Sequence, residues 1–294
     1  MRAYRFVTLD VFTDRRFGGN QLAVFPDARG MSDAEMQALA AEFNLSETTF
    51  VLPPADPANT ARVRIFNRVA EMPFAGHPSV GTGFVLAEAG QAGSLRLEQI
   101  AGLVTVEVWR DTAGQVTGTA IAAPQPLAVG QELPAEVAAA CASIPSASVV
   151  TARHAPTLAA DGGNPRLLVE VTAEALAAAA PDLAAFRRVV AEVPALRGFL
   201  SLYLYRRDGA TVRARMFSPL TGTWEDPATG SAATPLAGFL LRLSGAESAA
   251  LDIIQGVEMG RPSLLRTTAR RTAEGIRATV GGGCVQVLRG EALL

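Results

Sequence analysis

The sequence has 294 residues, 49% of them hydrophobic, which is enough to bury one large core or two smaller ones. The formal net charge is −2, and no basic stripe with interleaved aromatics is present, so we expect no nucleic-acid partner. No apolar stretch approaches the roughly 18 residues of a membrane span, and the first ten residues alternate like a strand rather than a signal peptide. Two cysteines in unlike contexts predict no disulfide framework. We therefore expect a cytoplasmic protein with no membrane partner.

The sequence contains no lysine, so every basic side chain is an arginine. Schiff-base enzymes and P-loop NTPases both need a lysine amine, and both classes are excluded. There are two histidines, His77 and His154, and no HExxH motif. No GxGxxG motif follows a predicted strand. The sequence therefore predicts an enzyme with no metal and no cofactor, or a protein that is not an enzyme.

The first elements are two strands and a helix. Alternating residues predict strands over 4–12 and 21–25, joined by the turn that ends at Asn20. Ser32 and Glu35 have the spacing of a capping box, which predicts that a helix begins there. Asn44 can end this helix in a left-handed conformation, and an extended segment follows over 45–52.

Further elements alternate with turn signals along the rest of the chain. Pro124 to Pro134 interrupts the pattern and is the predicted linker between two halves. The predicted strands are 61–67, 94–100, 103–109, 116–122, 147–153, 166–171, 200–206 and 211–217, and the predicted helices are 76–89, 134–143 and 182–193.

An internal repeat relates the two halves. Arg64-Ile-Phe66 with Glu71-Met-Pro-Phe-Ala-Gly-His-Pro78 corresponds to Arg215-Met-Phe217 with Glu225-Asp-Pro-Ala-Thr-Gly-Ser-Ala232. An apolar helix follows each copy. The unit is too long for a solenoid repeat, so the alternatives are a duplicated half-domain and chance similarity between Ala- and Gly-rich segments. The agreement in order of several pieces favours duplication.

The repeated turns suggest a site. Each turn, around Gly76 and Gly230, opens a helix and would expose backbone N–H groups at the positive end of its dipole. Two such helix N-termini facing each other could hold a substrate carboxylate and the enolate-like charge left by proton removal. Such a site needs an acid–base group.

Glu47 is the first candidate for that group. It lies in an otherwise uncharged segment leading into an apolar strand, where burial would raise its pKa toward a useful value; alternatively it is a surface residue after a helix. Asp226 is the second candidate, with a helix N-cap as the alternative. His77 and Ser231 each follow a turn glycine and could instead cap or pack, and Asn20 could be a turn residue.

Several stretches together resemble the PhzF-like (phenazine biosynthesis) family. They are Asn44-Leu-Ser-Glu-Thr-Thr-Phe-Val51, Met72-Pro-Phe-Ala-Gly-His-Pro-Ser-Val-Gly-Thr82, Glu225-Asp-Pro-Ala-Thr-Gly-Ser-Ala232, Gln255-Gly-Val-Glu-Met-Gly-Arg-Pro-Ser263 and Val280-Gly-Gly-Gly-Cys-Val-Gln-Val287. The resemblance implies an α+β, diaminopimelate epimerase-like fold, with two pseudo-symmetric halves that are each a β-barrel-like sheet around a central helix. We expect an N-terminal half over 1–124, completed by a strand at about 284–294, and a C-terminal half over 125–283.

The resemblance also implies roles for particular residues. Glu47 corresponds to the family's catalytic acid/base, and His77 and Asp226 to its other catalytic side chains. Gly76, Gly230, Ser231 and Asn20 would bind substrate, and a homodimer is implied. The related epimerases use a pair of cysteines at the two turns. Here both cysteines lie elsewhere, which disfavours a two-thiol racemase.

The leading hypothesis is therefore a cofactor-independent isomerase of a small carboxylated metabolite, of the dihydro-hydroxyanthranilate type, in which Glu47 removes a proton and returns it. One alternative is an amino-acid racemase or epimerase with Glu47 and Asp226 as opposing bases. The other is a non-catalytic protein that binds a small molecule.

Overall fold

The computed structural model describes residues 1–91 and 93–294. Within these residues the chain forms 17 strands and six α-helices. The strands are β1 (Ala3–Val11), β2 (Asn20–Phe25), β3 (Glu47–Leu52), β4 (Ala61–Phe66), β5 (Glu71–Met72), β6 (Leu95–Gln99), β7 (Gly102–Arg110), β8 (Val116–Ala122), β9 (Ala128–Glu132), β10 (Thr157–Ala160), β11 (Arg166–Glu170), β12 (Leu202–Asp208), β13 (Thr211–Ser218), β14 (Thr223–Asp226), β15 (Ser248–Gln255), β16 (Ser263–Thr272) and β17 (Gly275–Leu293). The α-helices are α1 (Asp33–Phe43), α2 (Gly76–Glu88), α3 (Ala135–Ala142), α4 (Ala173–Ala178), α5 (Leu183–Glu192) and α6 (Gly230–Ser244).

Eight strands close into a first barrel. The order around the ring is β1, β2, β3, β4, β6, β7, β8 and β17, and β17 pairs with β1 again. Helix α2 runs through the middle, where every residue from Gly76 to Ala87 is buried. A helix with apolar or small residues on all sides has no polar face to expose to solvent, so it is most stable when a sheet surrounds it.

A second ring repeats this arrangement around α6. Its order is β9, β10, β11, β12, β13, β15, β16 and β17. The segment just before β9 closes it, because the amides of Ala123 and Leu127 donate to the carbonyls of Ala278 and Ile276 on β17. The fold class predicted from the sequence is confirmed: an α+β protein with two barrels, each around a central helix.

One long strand belongs to both barrels. Residues 275–281 of β17 pair with β16, residues 279–283 pair with β8, and residues 284–293 pair with β1. The strand therefore joins the two rings through backbone hydrogen bonds along most of its length. The boundaries of the two halves, at 124 and about 284, stay a prediction.

Helix α1 covers the outside of the first barrel. Ser32 and Glu35 form the predicted capping box, and Asn44 ends the helix at φ 53° in the left-handed region. Met36, Leu39 and Ala40 are buried against an aromatic cluster that includes Phe25 and Phe50. This helix start and stop were predicted from the sequence and are confirmed.

Two predictions about chain organisation are wrong. The predicted linker, 124–134, contains strand β9, which pairs with β10 inside the second ring. The predicted strand over 147–153 is replaced by a 3₁₀ turn at Ser146–Ser148 and a single bridge at Val149, and the strand comes later, at Thr157–Ala160. In both places prolines lie at the ends of the observed elements, and pairing with distant strands determines which residues form a strand. Among the described residues, no helix is long and apolar enough to cross a membrane.

Candidate active site

The N-termini of the two central helices meet between the barrels. A Cβ atom placed on Gly76 would lie 2.7 Å from the Cα of Gly230, so only glycine allows this approach. The N-cap residues Ala75 and Thr229 provide no side-chain cap to either helix. Two uncapped helix N-termini at one place create a region of positive potential.

A cleft of about 290 Å³ opens over these two helix starts. It is lined by residues of both barrels, polar toward the helix starts and partly apolar on its walls. The polar residues that line it include Ser46, Glu47, Arg68, His77, Arg166, Ser218, Asp226, Thr229 and Ser231.

Glu47 begins β3 at the edge of the cleft. The left-handed Asn44 turns the chain out of α1, and the buried strand that follows fixes the direction of Glu47. Its Oε2 lies 3.4 Å from Nε2 of His77, and its side chain is 16% exposed. Burial raises the pKa of Glu47, while a hydrogen bond from Ser46 and the positive charges of Arg166 and Arg68 oppose the rise. A raised pKa makes a carboxyl a better proton acceptor than an ordinary glutamate.

His77 is the second residue of α2 and is buried. Burial lowers its pKa to about 4, although the negative charge of Asp226 acts in the opposite direction. The imidazole is therefore neutral at neutral pH. Its Nε2 has no hydrogen-bond partner among the described residues, despite the proximity of Glu47. A neutral imidazole with one free ring nitrogen can orient a substrate group without adding charge.

Asp226 ends β14 and is fixed on both carboxylate oxygens. Oδ1 accepts a 2.8 Å hydrogen bond from the Asn20 amide, and Oδ2 accepts one from the Thr229 hydroxyl. Gln255 donates to its backbone carbonyl at 2.7 Å. Burial and the negative charge of Glu47 raise the pKa of Asp226. It does not cap α6, since the N-cap is Thr229.

Asn20, the first residue of β2, connects the two halves of the site. Its Nδ2 also donates to the Ala228 carbonyl at 2.8 Å and lies 3.2 Å from Nδ1 of His77. An amide nitrogen carries two hydrogens, so the two 2.8 Å bonds account for both. Asn20 is thus a bridge between the barrels rather than a simple turn residue.

Ser231 follows Gly230 in the first turn of α6, and its Oγ accepts a 3.2 Å hydrogen bond from Nη2 of Arg166.

The structure brings all seven residues predicted from the sequence close together at the junction of the helices. They are Glu47, His77, Asp226, Gly76, Gly230, Ser231 and Asn20. Their roles in catalysis and binding stay a prediction.

Sequence reasoning missed Arg166 and the hydroxyl groups of Ser201 and Ser218. Arg166 opens β11 and donates to Ser201 Oγ at 3.1 Å as well as to Ser231. Ser201 Oγ in turn lies 2.7 Å from Ser218 Oγ. The available signal was an arginine at the start of a strand, directly before three apolar residues. Among the described residues, no cluster of three or more His, Cys, Asp or Glu side chains is placed to hold a metal ion.

Two barrels that meet at the uncapped N-termini of their central helices have the diaminopimelate epimerase-like architecture predicted from the sequence, and the cleft between them contains three ionisable side chains with shifted pKa values. Residues 9–290 match the family model described as phenazine biosynthesis-like protein. The chain belongs to this family and is an isomerase.

Individual relatives support this assignment. The chain is 37% identical to an uncharacterized isomerase of Mesorhizobium japonicum, with 100% of both chains covered. It is 35% identical to the trans-2,3-dihydro-3-hydroxyanthranilate isomerase of Pseudomonas chlororaphis, covering 99% of this chain and 100% of that one. The crystal structure of a PhzF-family phenazine biosynthesis protein of Bacillus anthracis superposes with a TM-score of 0.85 at 22% identity, with 100% of both chains covered.

Proposed function

We propose that this protein isomerises a small carboxylated metabolite by moving one proton from one carbon to another through Glu47, without a cofactor. The observation that carries the proposal is the position of Glu47, a carboxylate only 16% exposed that lines the cleft over the two helix N-termini and lies 3.4 Å from His77 of α2. The substrate class we propose is a dihydro-hydroxyanthranilate-type acid, on the strength of relatives such as the Pseudomonas chlororaphis enzyme.

The proposed reaction begins when ionised Glu47 takes a proton from a carbon of the substrate. The electron pair of the broken C–H bond moves into the adjacent conjugated system, and the charge that develops is stabilised by the N–H groups at the starts of α2 and α6. Protonated Glu47, whose side chain is 16% exposed and can exchange its proton with solvent, then protonates a different carbon of the same system. The balance is one C–H bond broken and one formed, with no net proton change.

His77 and Asp226 would hold the substrate rather than exchange protons with it. Both oxygens of Asp226 already accept hydrogen bonds from the protein, which supports a positioning role for this carboxylate over a role as a second base. Gly76, Gly230, Ser231 and Asn20 would bind substrate or keep the cleft in shape. A racemase with Glu47 and Asp226 as opposing bases is the alternative enzyme.

Proton exchange in heavy water tests the proposal. Incubation with trans-2,3-dihydro-3-hydroxyanthranilate should give isomerised product that contains deuterium, measured by mass spectrometry. Glu47→Gln should lower the exchange rate by about 100- to 10,000-fold. Glu42→Gln, which removes an exposed carboxylate on α1, is the matched control and should have no effect. Exchange that survives in Glu47→Gln would refute the single-base mechanism.

The type of product separates the alternatives. Deuterium at a new carbon with a shifted double bond supports the isomerase, whereas inversion at the original carbon supports the racemase. Stoichiometric binding without exchange would instead indicate a binding protein. A cytoplasmic location and a homodimer are further parts of the proposal, and the family resemblance is their support.

A further inference from the structure

The two barrels differ at the position equivalent to Glu47. Thr48 pairs with Phe66 in the first barrel, and Leu202 pairs with Phe217 in the second. Because Phe66 and Phe217 occupy the same place in the repeat, Ser201, which precedes Leu202, is the counterpart of Glu47. The first barrel therefore has a carboxylate at this position, and the second has a neutral, buried hydroxyl.

Arg166 places a positive charge beside that neutral hydroxyl. Its side chain is buried, with 7% of the residue exposed, and its partners are the hydroxyls of Ser201 and Ser231. Within residues 1–91 and 93–294, no carboxylate oxygen lies within 4.0 Å of its guanidinium. The negative charges of Asp226, Glu47 and Asp161 favour its charged form from farther away. None of these carboxylates is in direct contact with the guanidinium, which is therefore free to bind an anion.

The guanidinium also has unused hydrogen-bond donors. It carries five N–H groups, two of which serve Ser201 and Ser231, and its Nε has no partner in the described part of the chain. Burial lowers the pKa of Arg166 to about 10, so the group is still charged at neutral pH. The adjoining start of α6 adds a second source of positive potential.

The geometry points to Arg166, together with Ser231 and the start of α6, as the anchor for the carboxylate of the substrate, an inference that rests on the proposed function for the kind of substrate. The guanidinium offers a planar pair of donors that fits a carboxylate. With its carboxylate held on the second barrel, the substrate has its reacting carbons directed toward Glu47 on the first. The difference between Ser201 and Glu47 thereby fixes which way the substrate lies.

A matched pair of ligands tests this assignment without turnover. The probes are 3-hydroxyanthranilate, an aromatic acid, and its carboxamide, which has the same shape without the charge. Isothermal titration calorimetry should show that the wild-type protein prefers the acid by about 10- to 100-fold, the range of a charge-assisted hydrogen bond. Arg166→Gln should reduce this preference to about threefold or less, mainly through weaker binding of the acid.

Two further variants make the result specific. Arg166→Lys keeps the charge but not the planar pair of donors, and should recover part of the preference for the acid. Arg68→Gln removes the other arginine that lines the cleft, whose Nη2 donates to the Gly222 carbonyl at 2.6 Å, and should leave the preference unchanged. Thermal unfolding of each variant checks that the fold is kept.

The assignment is overturned if Arg166→Gln keeps the full preference for the acid, if Arg68→Gln is the variant that loses it, or if wild-type protein does not bind the acid. A purely structural role for Arg166 would lower thermal stability without changing the ratio of the two affinities. The affinities do not depend on proton transfer. If Glu47→Gln retained exchange while Arg166→Gln lost the preference, the mechanism would fail and the carboxylate anchor would stand.

Discussion

Gly76→Ala tests whether the contact between the two helix N-termini is as tight as the structure shows. The added Cβ would lie 2.7 Å from Gly230 Cα, 2.9 Å from Gly230 C and 3.0 Å from Ser231 N. All three atoms belong to backbone, so relief requires the helices to separate by roughly 1 Å, given carbon contacts of about 3.5–4.0 Å. Overpacking of this kind costs about 1–3 kcal/mol.

The expected result is a loss of both stability and activity. Urea unfolding should show a free energy of unfolding lower by about 1–3 kcal/mol, although alanine has the better helix propensity. Proton exchange into substrate should fall by about 100-fold, because a displacement of about 1 Å in a catalytic site has an effect of that size.

Gly238→Ala is the control, made by the same substitution in α6. Its Cβ would lie 3.4 Å from the nearest atom, Ile276 Cγ2, which is ordinary contact. The gain in helix propensity should therefore show, and stability should be unchanged or higher by up to about 1 kcal/mol, with normal exchange. If Gly76→Ala behaved like Gly238→Ala, the close approach of the helices would not be a feature of the folded protein.

Three further results are expected. Burial raises the pKa of Asp161 from 3.8 to about 7, so the protein loses stability as the pH rises between these values. Asp161→Asn should therefore raise the free energy of unfolding above pH 7 by at most about 4 kcal/mol and leave it unchanged at pH 4, as measured by urea unfolding. Arg215→Met should lower the free energy of unfolding by about 3–5 kcal/mol, and by more than Arg64→Met does. The reason is that Arg215 also donates to three backbone carbonyls and is more buried than Arg64; equal losses of the two variants in urea unfolding would contradict this. The proposed base Glu47 must be ionised to take a proton, and its pKa is raised above 4.5. We therefore expect kcat/KM to fall as the pH decreases, with a midpoint above 4.5; a midpoint near 4 would indicate protonation of His77 instead.

Local signals in the sequence were sufficient where the chain itself supplies the partners. Ser32 and Glu35 cap α1 within one helical turn, so their spacing alone predicted the helix start. The Gly76 and Gly230 turns were predicted from the internal repeat, in which a glycine turn followed by an apolar helix occurs in both halves. Glu47 was a candidate as the lone charge of its segment, and the family resemblance distinguished it from a surface residue.

Distant partners explain what the sequence did not reveal. Strand β9 lies in a Pro-rich stretch and forms because β10 offers it a pairing edge. Arg166 is separated from Ser201 by 35 positions and from Ser231 by 65, so no local pattern brings the three together. Asp161 was missed for the same reason: only the packed structure shows that its carboxylate is buried without a hydrogen-bond partner in the described residues.

The shared strand Gly275–Leu293 has a consequence for the order of folding. It follows every other strand in the sequence, and yet both rings depend on it to close, through pairs as distant as Ala3 with Leu293. During synthesis, β1 and β8 must therefore wait with one edge unpaired until this segment emerges. Contacts between such distant residues form slowly, and unpaired edges promote association with other chains. The arrangement that joins the barrels so firmly in the finished protein makes the growing chain dependent on its last strand.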